Sequence, residues 1–390
     1  MRELIIDSGL VKKFNPIHLK HHEFLPIAVE NNKLITAHAP GAQQHHKFIR
    51  TVGQLATGYE TSFYSIQSEL LQHELKLIKQ GIYHRMLVSD KQNQVAPRGN
   101  ILSVISNKGG VGKTTISIEL AHQFARMGLK TLLFDLDLGN ADVSNKLKIF
   151  PELTLYNFFN KQVELDELVV KTAFGFDFIP GECGEFKLAN MTWAQKQRFF
   201  RHIQAISTKY DLILFDLGAG ITRHVIDFAL MADDSIIVTT PNDIISGYAA
   251  AKATYGRFVE INSKIKSSDR ELGEYVYSPW FILNQVQNMR QGKNMYHSLK
   301  QTIDNHVNEK SIFKIFPEYL GSVISDRDRL VDTYSKREII GLRHPTSDLA
   351  INFRELAVNY LGSGLHDDTA KPQRGSGLRR FVNMLGLGSK

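Results

Sequence analysis

The sequence predicts an α/β protein: a mainly parallel sheet with helices on both faces, preceded by a small α/β domain and followed by a flexible tail with an amphipathic helix. Three observations predict it. Between residues 98 and 362, apolar runs of strand length (101–106, 131–135, 211–216, 235–240 and 280–284) alternate with longer amphipathic stretches. Parallel neighbours need long crossovers, and these are usually helices, so the alternation reads as a sheet covered on both sides. A glycine-rich turn directly follows the first run and opens a helical stretch. Polar groups then recur where the runs end, at Asp135, Asp216 and Asn284, which is where open sheets of this kind bind ligands.

Composition narrows the class. With 43% hydrophobic and 22% charged residues, the chain has the makings of a packed core. No run approaches the ~18 apolar residues of a spanning helix, and Met1-Arg2-Glu3-Leu4 lacks the apolar stretch of a secretory signal. The expectation is a cytoplasmic protein. Cys183 is the single cysteine, so one chain can form neither an internal disulfide nor an all-cysteine metal site. A net charge of +7 favours anionic partners such as nucleotide, nucleic acid or acidic lipid.

Residues 1–97 form the first expected domain. Residues 24–29 and 33–37 read as strands joined by an Asn31-Asn32 turn, a hairpin signal. Helical spacing follows at 47–57 and at 66–79, on either side of a Thr57-Gly58-Tyr59 turn. A polar stretch from Ser89 to Asn100, with Pro97 and Gly99, reads as a linker. His18, His21, His22, His38, His45, His46, His73 and His84 lie in this zone, but their spacing fits no compact zinc pattern. No internal repeat is found.

The chemistry begins at Lys108-Gly109-Gly110-Val111-Gly112-Lys113-Thr114-Thr115. Three glycines let the backbone turn so that N–H groups converge on phosphate oxygens. The following helix adds its positive end. Lys113 supplies a charge for β- and γ-phosphates, and Thr114 a hydroxyl for Mg²⁺, which prefers hard oxygen ligands. A strand before and a helix after are the context this motif requires. ATP and Mg²⁺ are therefore the expected cofactors. Asp135 and Asp137, at i and i+2, share one face of an extended segment, so both can approach a magnesium–phosphate centre. Residues 210–216 are an apolar run ending in Asp216, the form of a Walker B strand, and Gly218-Ala219-Gly220 follows as a candidate switch loop.

The octapeptide resembles the deviant Walker A motif of the MinD/ParA ATPases. The resemblance implies that Lys108 reaches across an interface to the nucleotide of a second copy, so that a homodimer forms when ATP is bound. It also implies that Asp137 orients the attacking water and that Asp135 assists at the metal beside Thr114 and Asp216, with Asp142 completing the spacing. By the same resemblance Asn284 reads the adenine edge, while Pro241 and Asn242 lie near the nucleoside. Three segments resemble the FlhG/FleN flagellar-number regulators: Asp135-Leu-Asp-Leu-Gly-Asn-Ala-Asp142, Asp216-Leu-Gly-Ala-Gly-Ile221 and Gly321-Ser-Val-Ile-Ser-Asp326. That subgroup carries a short N-terminal activating segment with an Asp-Gln-Ala-like core, which residues 1–99 lack. Residues 24–37 instead resemble the N-terminal domain of type II secretion and type IV pilus ATPases, without the Arg-Leu-Gly motif that binds cyclic di-GMP. The implied partner of this domain is an envelope-machine protein.

Residues 363–376 read as flexible linker. In 377–390, Leu378, Phe381, Val382 and Leu385 fall at i, i+3, i+4 and i+7 beside Arg379 and Arg380. So short a helix is marginal in water, but an anionic membrane surface can induce it. It resembles the membrane-targeting helix of MinD-type proteins. The expected function is an ATPase with slow turnover, stimulated by an activating protein. It would associate peripherally with the inner face of the cell membrane and position an envelope structure such as flagella or pili. The alternative is a ParA-type partition ATPase that binds DNA non-specifically through its basic surface. An iron–sulfur reductase is disfavoured, because Cys183 alone cannot supply a ligand pair.

Overall fold

The computed structural model describes residues 2–5, 7–14, 19, 24–30, 32–38, 46–65, 71, 75, 85–88, 99–137, 141–182, 193–263, 276–307 and 314–362. The expected linker at 363–376 and the amphipathic helix of 377–390 lie outside these residues. The chain divides into two compact units, one containing Met1–Asn100 and the other beginning at Ile101 and running to Ala357.

The first unit contains β1 (Arg2–Ile5), β2 (Phe24–Glu30), β3 (Lys33–His38), β4 (Glu60–Ser65) and β5 (Arg85–Val88). The expected hairpin is present as the antiparallel pair β2–β3, with a register shift at Pro26, which has no N–H to give the ladder. Asn32 takes the left-handed conformation at the turn (φ 62°), which Asn tolerates better than most residues. The helix His46–Thr57 then carries the chain to β4, which lies parallel to β3. The sequence reading placed a helix after the Thr57-Gly58-Tyr59 turn and missed β4. Thr61, Phe63 and Tyr64 are strand formers, but the run is too short to display a period. Of the helix expected at 66–79, only Leu71 and Leu75 are described, both helical and buried. β1 pairs antiparallel with β5.

The second unit is built on an eight-stranded sheet. Its strands are β6 (Asn100–Ser106), β7 (Thr131–Leu136), β8 (Val170–Lys171), β9 (Asp177–Ile179), β10 (Leu212–Ala219) and β11 (Asp234–Thr239), followed by β13 (Trp280–Val286) and β15 (Glu318–Ile324). The short strands β12 (Val276–Tyr277) and β14 (Lys314–Ile315) pair with each other outside it. The order is β15-β13-β11-β6-β10-β7-β9-β8. Only β8–β9 is antiparallel among the described pairs of this sheet. Every residue of β6 and β7 is buried, as expected for strands covered on both faces. After β6 the chain passes outward to β7, returns to β10, then crosses to β11 on the far side of β6. That reversal opens a crevice at the carboxyl end of β6.

Aromatic side chains fill the layer beneath β7 and β10. Phe134 meets Phe215 edge-on at 5.5 Å and Phe199 at 6.3 Å, and Phe199 meets Phe228 at 5.5 Å. The helix Lys113–Arg126 is buried along nearly its whole length. It is tied to the C-terminal part of the sheet unit by Glu119, which is fully buried. This carboxylate accepts the Ile340 N–H (2.7 Å), the Gly341 N–H (3.1 Å) and the Tyr334 hydroxyl (3.2 Å). Burial pushes the Glu119 carboxyl from 4.5 up to about 7 despite these donors.

The folded chain therefore retains a proton on Glu119 between those two values that the unfolded chain releases. The stability associated with that proton is fully present below pH 4.5 and is lost as pH rises through about 7. Melting temperature measured from pH 5 to pH 8 should fall more steeply in the wild type than in Glu119→Gln. Parallel slopes would contradict a titrating Glu119.

Candidate nucleotide site

The site is built on the turn between β6 and the helix Lys113–Arg126. Gly110 (φ 79°) and Gly112 (φ 93°) are left-handed, a region that L side chains enter only with strain. At Gly112 space is lacking as well, because a Cβ there would lie 2.3 Å from Nδ2 of Asn284. Lys113, Thr114 and Thr115 are buried in the first helical turn, whose N–H groups have no intrahelical acceptors. The carbonyls of the turn are engaged from elsewhere. The Ser106 hydroxyl donates to Lys108 O (2.7 Å), Nε2 of Gln285 to Gly110 O (3.1 Å), Nδ2 of Asn284 to Val111 O (2.7 Å), and the Ile116 N–H to Gly112 O (3.0 Å). A loop with its carbonyls so occupied suits an anion.

The carboxylates come from the neighbouring strands. Asp216 on β10 and Asp135 on β7 are register partners. Asp216 is fully buried; Oδ1 accepts the Ser117 hydroxyl (2.8 Å), whereas Oδ2 is buried without a formed hydrogen bond. Burial pushes its carboxyl up to about 6, against the Thr114 hydroxyl and the Lys113 charge. An open carboxylate oxygen beside a threonine hydroxyl is a donor set that fits a hard divalent cation.

Asp135, expected at the metal, accepts two backbone N–H groups. Oδ1 accepts the Asp137 N–H and Oδ2 the Val143 N–H, both at 3.1 Å. It frames the turn that carries Asp137 and Asp142. Burial raises its carboxyl well above the usual range, and the charge of Asp216 adds to this. Asp137 is half-buried at the end of β7. Gly218 gives it room, since a Cβ there would lie 3.1 Å from its Oδ1. Asp142, first residue of the helix Asp142–Leu147, has its carboxyl raised by partial burial and then by Asp137.

Lys108 stands at the rim. Its side chain is 65% exposed, and its ammonium pairs at 3.3 Å with Asp243 of the same chain. Asp243 closes the 3-10 turn Pro241–Asp243 after β11. Its carboxyl is held below the usual value, first by the Ser246 hydroxyl and then by Lys108. The structure thus brings Lys113, Thr114, Asp216 and Asp137 to one crevice. Asn284 on β13 contacts the loop at Val111 O, and Pro241 opens the 3-10 turn that follows β11.

A family model described as an AAA domain matches residues 99–266. The flagellum site-determining protein YlxH of Helicobacter pylori is 28% identical over 256 residues, covering 65% of this chain and 79% of the relative. The antiactivator FleN of Pseudomonas aeruginosa is 24% identical over 259 residues, covering 66% of this chain and 84% of the relative. Among solved structures, the cell division ATPase MinD of Pyrococcus furiosus matches with a TM-score of 0.50 at 20% identity, covering 67% of this chain and 98% of that one. That likeness concerns the fold. These relatives and this fold support a P-loop ATPase of the MinD/ParA type.

Three side chains at the site are not foreseen from the sequence. Ser117 and Gln285 carry no motif signal, and Asp243 was one residue beyond the loop singled out. Only folding shows that Ser117 lies one helical turn behind Thr114, facing Asp216. Leu378, Arg379, Arg380, Phe381, Val382 and Leu385 lie outside the described residues.

Gly112→Ala should weaken ATP binding by roughly tenfold or more, because a left-handed alanine costs about 1–3 kcal/mol even before the contact with Asn284. Gly128→Ala is the control: its φ is also positive (86°), but a Cβ there meets nothing within 4 Å. It should lose stability and keep affinity in a fluorescent-nucleotide titration. Wild-type affinity in Gly112→Ala would remove the loop geometry from the account.

Proposed function

We propose that this protein is a nucleotide switch that closes into a homodimer on ATP, binds the membrane surface in that state, and sets the position or number of an envelope structure. The observation that carries this reading is the place of Lys108. Its side chain is exposed and its ammonium is paired with Asp243. A cation so placed is suited to meet the phosphates of a second copy. The exposed apolar side chains of Ile221, on the loop after β10, and Ile245, in the first turn of the helix Ile244–Ser263, are suited to the same contact.

In this reading the loop N–H groups and Lys113 bind the β- and γ-phosphates. Thr114 and Asp216 would hold Mg²⁺, which when bound offsets phosphate charge. Asp137 orients a water whose oxygen attacks the γ-phosphorus and accepts its proton, while the bond to the β–γ bridging oxygen breaks and ADP leaves with the electron pair. Lys108 of the second copy stabilises charge on the transferred group, a contribution worth on the order of 10³–10⁵ in rate for comparable in-trans cations. Asp135 acts through the turn it holds.

The membrane part of the proposal rests on the spacing of Leu378, Phe381, Val382 and Leu385 with Arg379 and Arg380. One such helix binds weakly and reversibly. Two on a dimer bind by avidity, which couples attachment to ATP. No helix among the described residues is long and apolar enough to cross a membrane. The names of YlxH and FleN, a flagellum site-determining protein and an antiactivator, favour a flagellum-type structure as the object positioned. The N-terminal unit would dock a protein of that machine, and a further protein would stimulate hydrolysis.

Asp137→Ala should keep ATP binding and lose turnover by about 10²–10⁴-fold, the usual worth of a positioned base. Near-normal phosphate release would remove Asp137 from the reaction. Sedimentation velocity in Asp137→Ala with ATP should give a dimer, and the added change Lys108→Ala should return it to monomer. With anionic liposomes, the ATP-loaded chain should pellet and a chain lacking residues 377–390 should not. Salt-sensitive DNA binding in ATP without liposome binding would favour the partition reading.

A further inference from the structure

The end of β13 departs from a regular strand in a way that bears on the phosphate loop. Successive residues of a strand point to opposite faces. Asn284 and Gln285 nevertheless serve the same loop. Nδ2 of Asn284 donates to Val111 O at 2.7 Å, and Nε2 of Gln285 donates to Gly110 O at 3.1 Å. The backbone of Gln285 makes this possible. It lies in the left-handed region (φ 59°), at a shift in register with β15 between Leu283 and Val286. A non-glycine residue held there interrupts the alternation and re-aims its side chain. The two amides thus fall on consecutive carbonyls of the loop.

In a trans peptide plane the C=O of one residue and the N–H of the next point opposite ways. The chain has no cis peptide among its described residues. Drawing Gly110 O outward therefore turns the Val111 N–H the other way, and drawing Val111 O outward does the same for the Gly112 N–H. The Asn284 side chain also fills the space above Gly112, where a Cβ would come within 2.3 Å of it. We propose that Asn284 and Gln285 are positioning residues for phosphate binding, a two-amide brace that aims loop N–H groups at the triphosphate, and that Asn284 is not primarily a reader of the base. This rests on the reading of the loop as a triphosphate site.

A brace and a base reader differ in what they do to a ligand that has no base. Displacement of a fluorescent ATP analogue by ATP, ITP and inorganic tripolyphosphate, each with Mg²⁺, separates them in the full-length chain. The expected result is that Asn284→Ala weakens all three ligands by a similar factor, roughly tenfold, and Gln285→Ala by a smaller common factor of roughly threefold, as for loss of a single hydrogen bond. Gln285 is solvent-exposed, so its variants test the proposal even if Asn284→Ala destabilises the fold. Gln285→Lys, which keeps a donor, should recover affinity, whereas Gln285→Glu, which presents only acceptors, should not. Turnover at saturating ATP should change less than KM in each variant.

Two results would overturn the proposal. One is Asn284→Ala losing ATP while binding tripolyphosphate and ITP as the wild type does. The other is wild-type affinity for all three ligands in Gln285→Ala. Failure of the wild type itself to bind ATP or tripolyphosphate would instead overturn the triphosphate reading on which the brace depends.

Discussion

The orientation of a few peptide planes between Ser106 and Lys113 is the constraint on which the rest of the site depends. An anion is held by N–H groups only where the matching carbonyls are turned away and satisfied, since a carbonyl facing a phosphate repels it. Here the Ser106 hydroxyl, Gln285, Asn284 and the next helical turn take the carbonyls of Lys108, Gly110, Val111 and Gly112. The left-handed Gly110 and Gly112 make the path possible. Strand β6 fixes where it begins, and a helix whose Glu119 is locked to Ile340 and Gly341 fixes where it ends.

Electrostatics follows from that frame. Asp135 and Asp216 face each other across adjacent strands in full burial, with Asp137 close by. Burying like charges side by side disfavours both being ionised without a compensating cation. Both carboxyls are raised by burial; the charge of Asp216 comes next for Asp135, while for Asp216 the charge of Asp137 adds only a smaller push. Lys113 offsets part of this for Asp216. Asp135 instead accepts two backbone N–H groups, from Asp137 and Val143. Two carboxylates that look alike in sequence thus differ in what donates to them.

Much of this was legible in the sequence because it is local. The runs at 101–106, 131–135, 211–216, 235–240 and 280–284 each become a strand, since continuous apolar stretches between turns leave little choice in a sheet covered on both faces. The glycine loop declares itself by spacing alone. What stayed hidden is tertiary. Strands β8 and β9 are too short to show a period, and β15 alternates around Gly321, whose φ of 153° marks an irregular strand. The roles of Asp135 and Gln285 depend on backbone groups brought close by folding, with Gln285 and Gly110 175 positions apart. In the first unit, β4 was hidden by the same brevity.

In the proposed function, nucleotide chemistry, assembly and membrane attachment form one sequence of dependence, and the triphosphate comes first. The most direct measurement is a calorimetric titration of ATP with Mg²⁺ into the full-length chain and into Lys113→Ala. The account predicts saturable binding of one ATP per chain in the wild type and its loss in the variant. Absence of binding by the wild type, or equal binding by the two proteins, would contradict it.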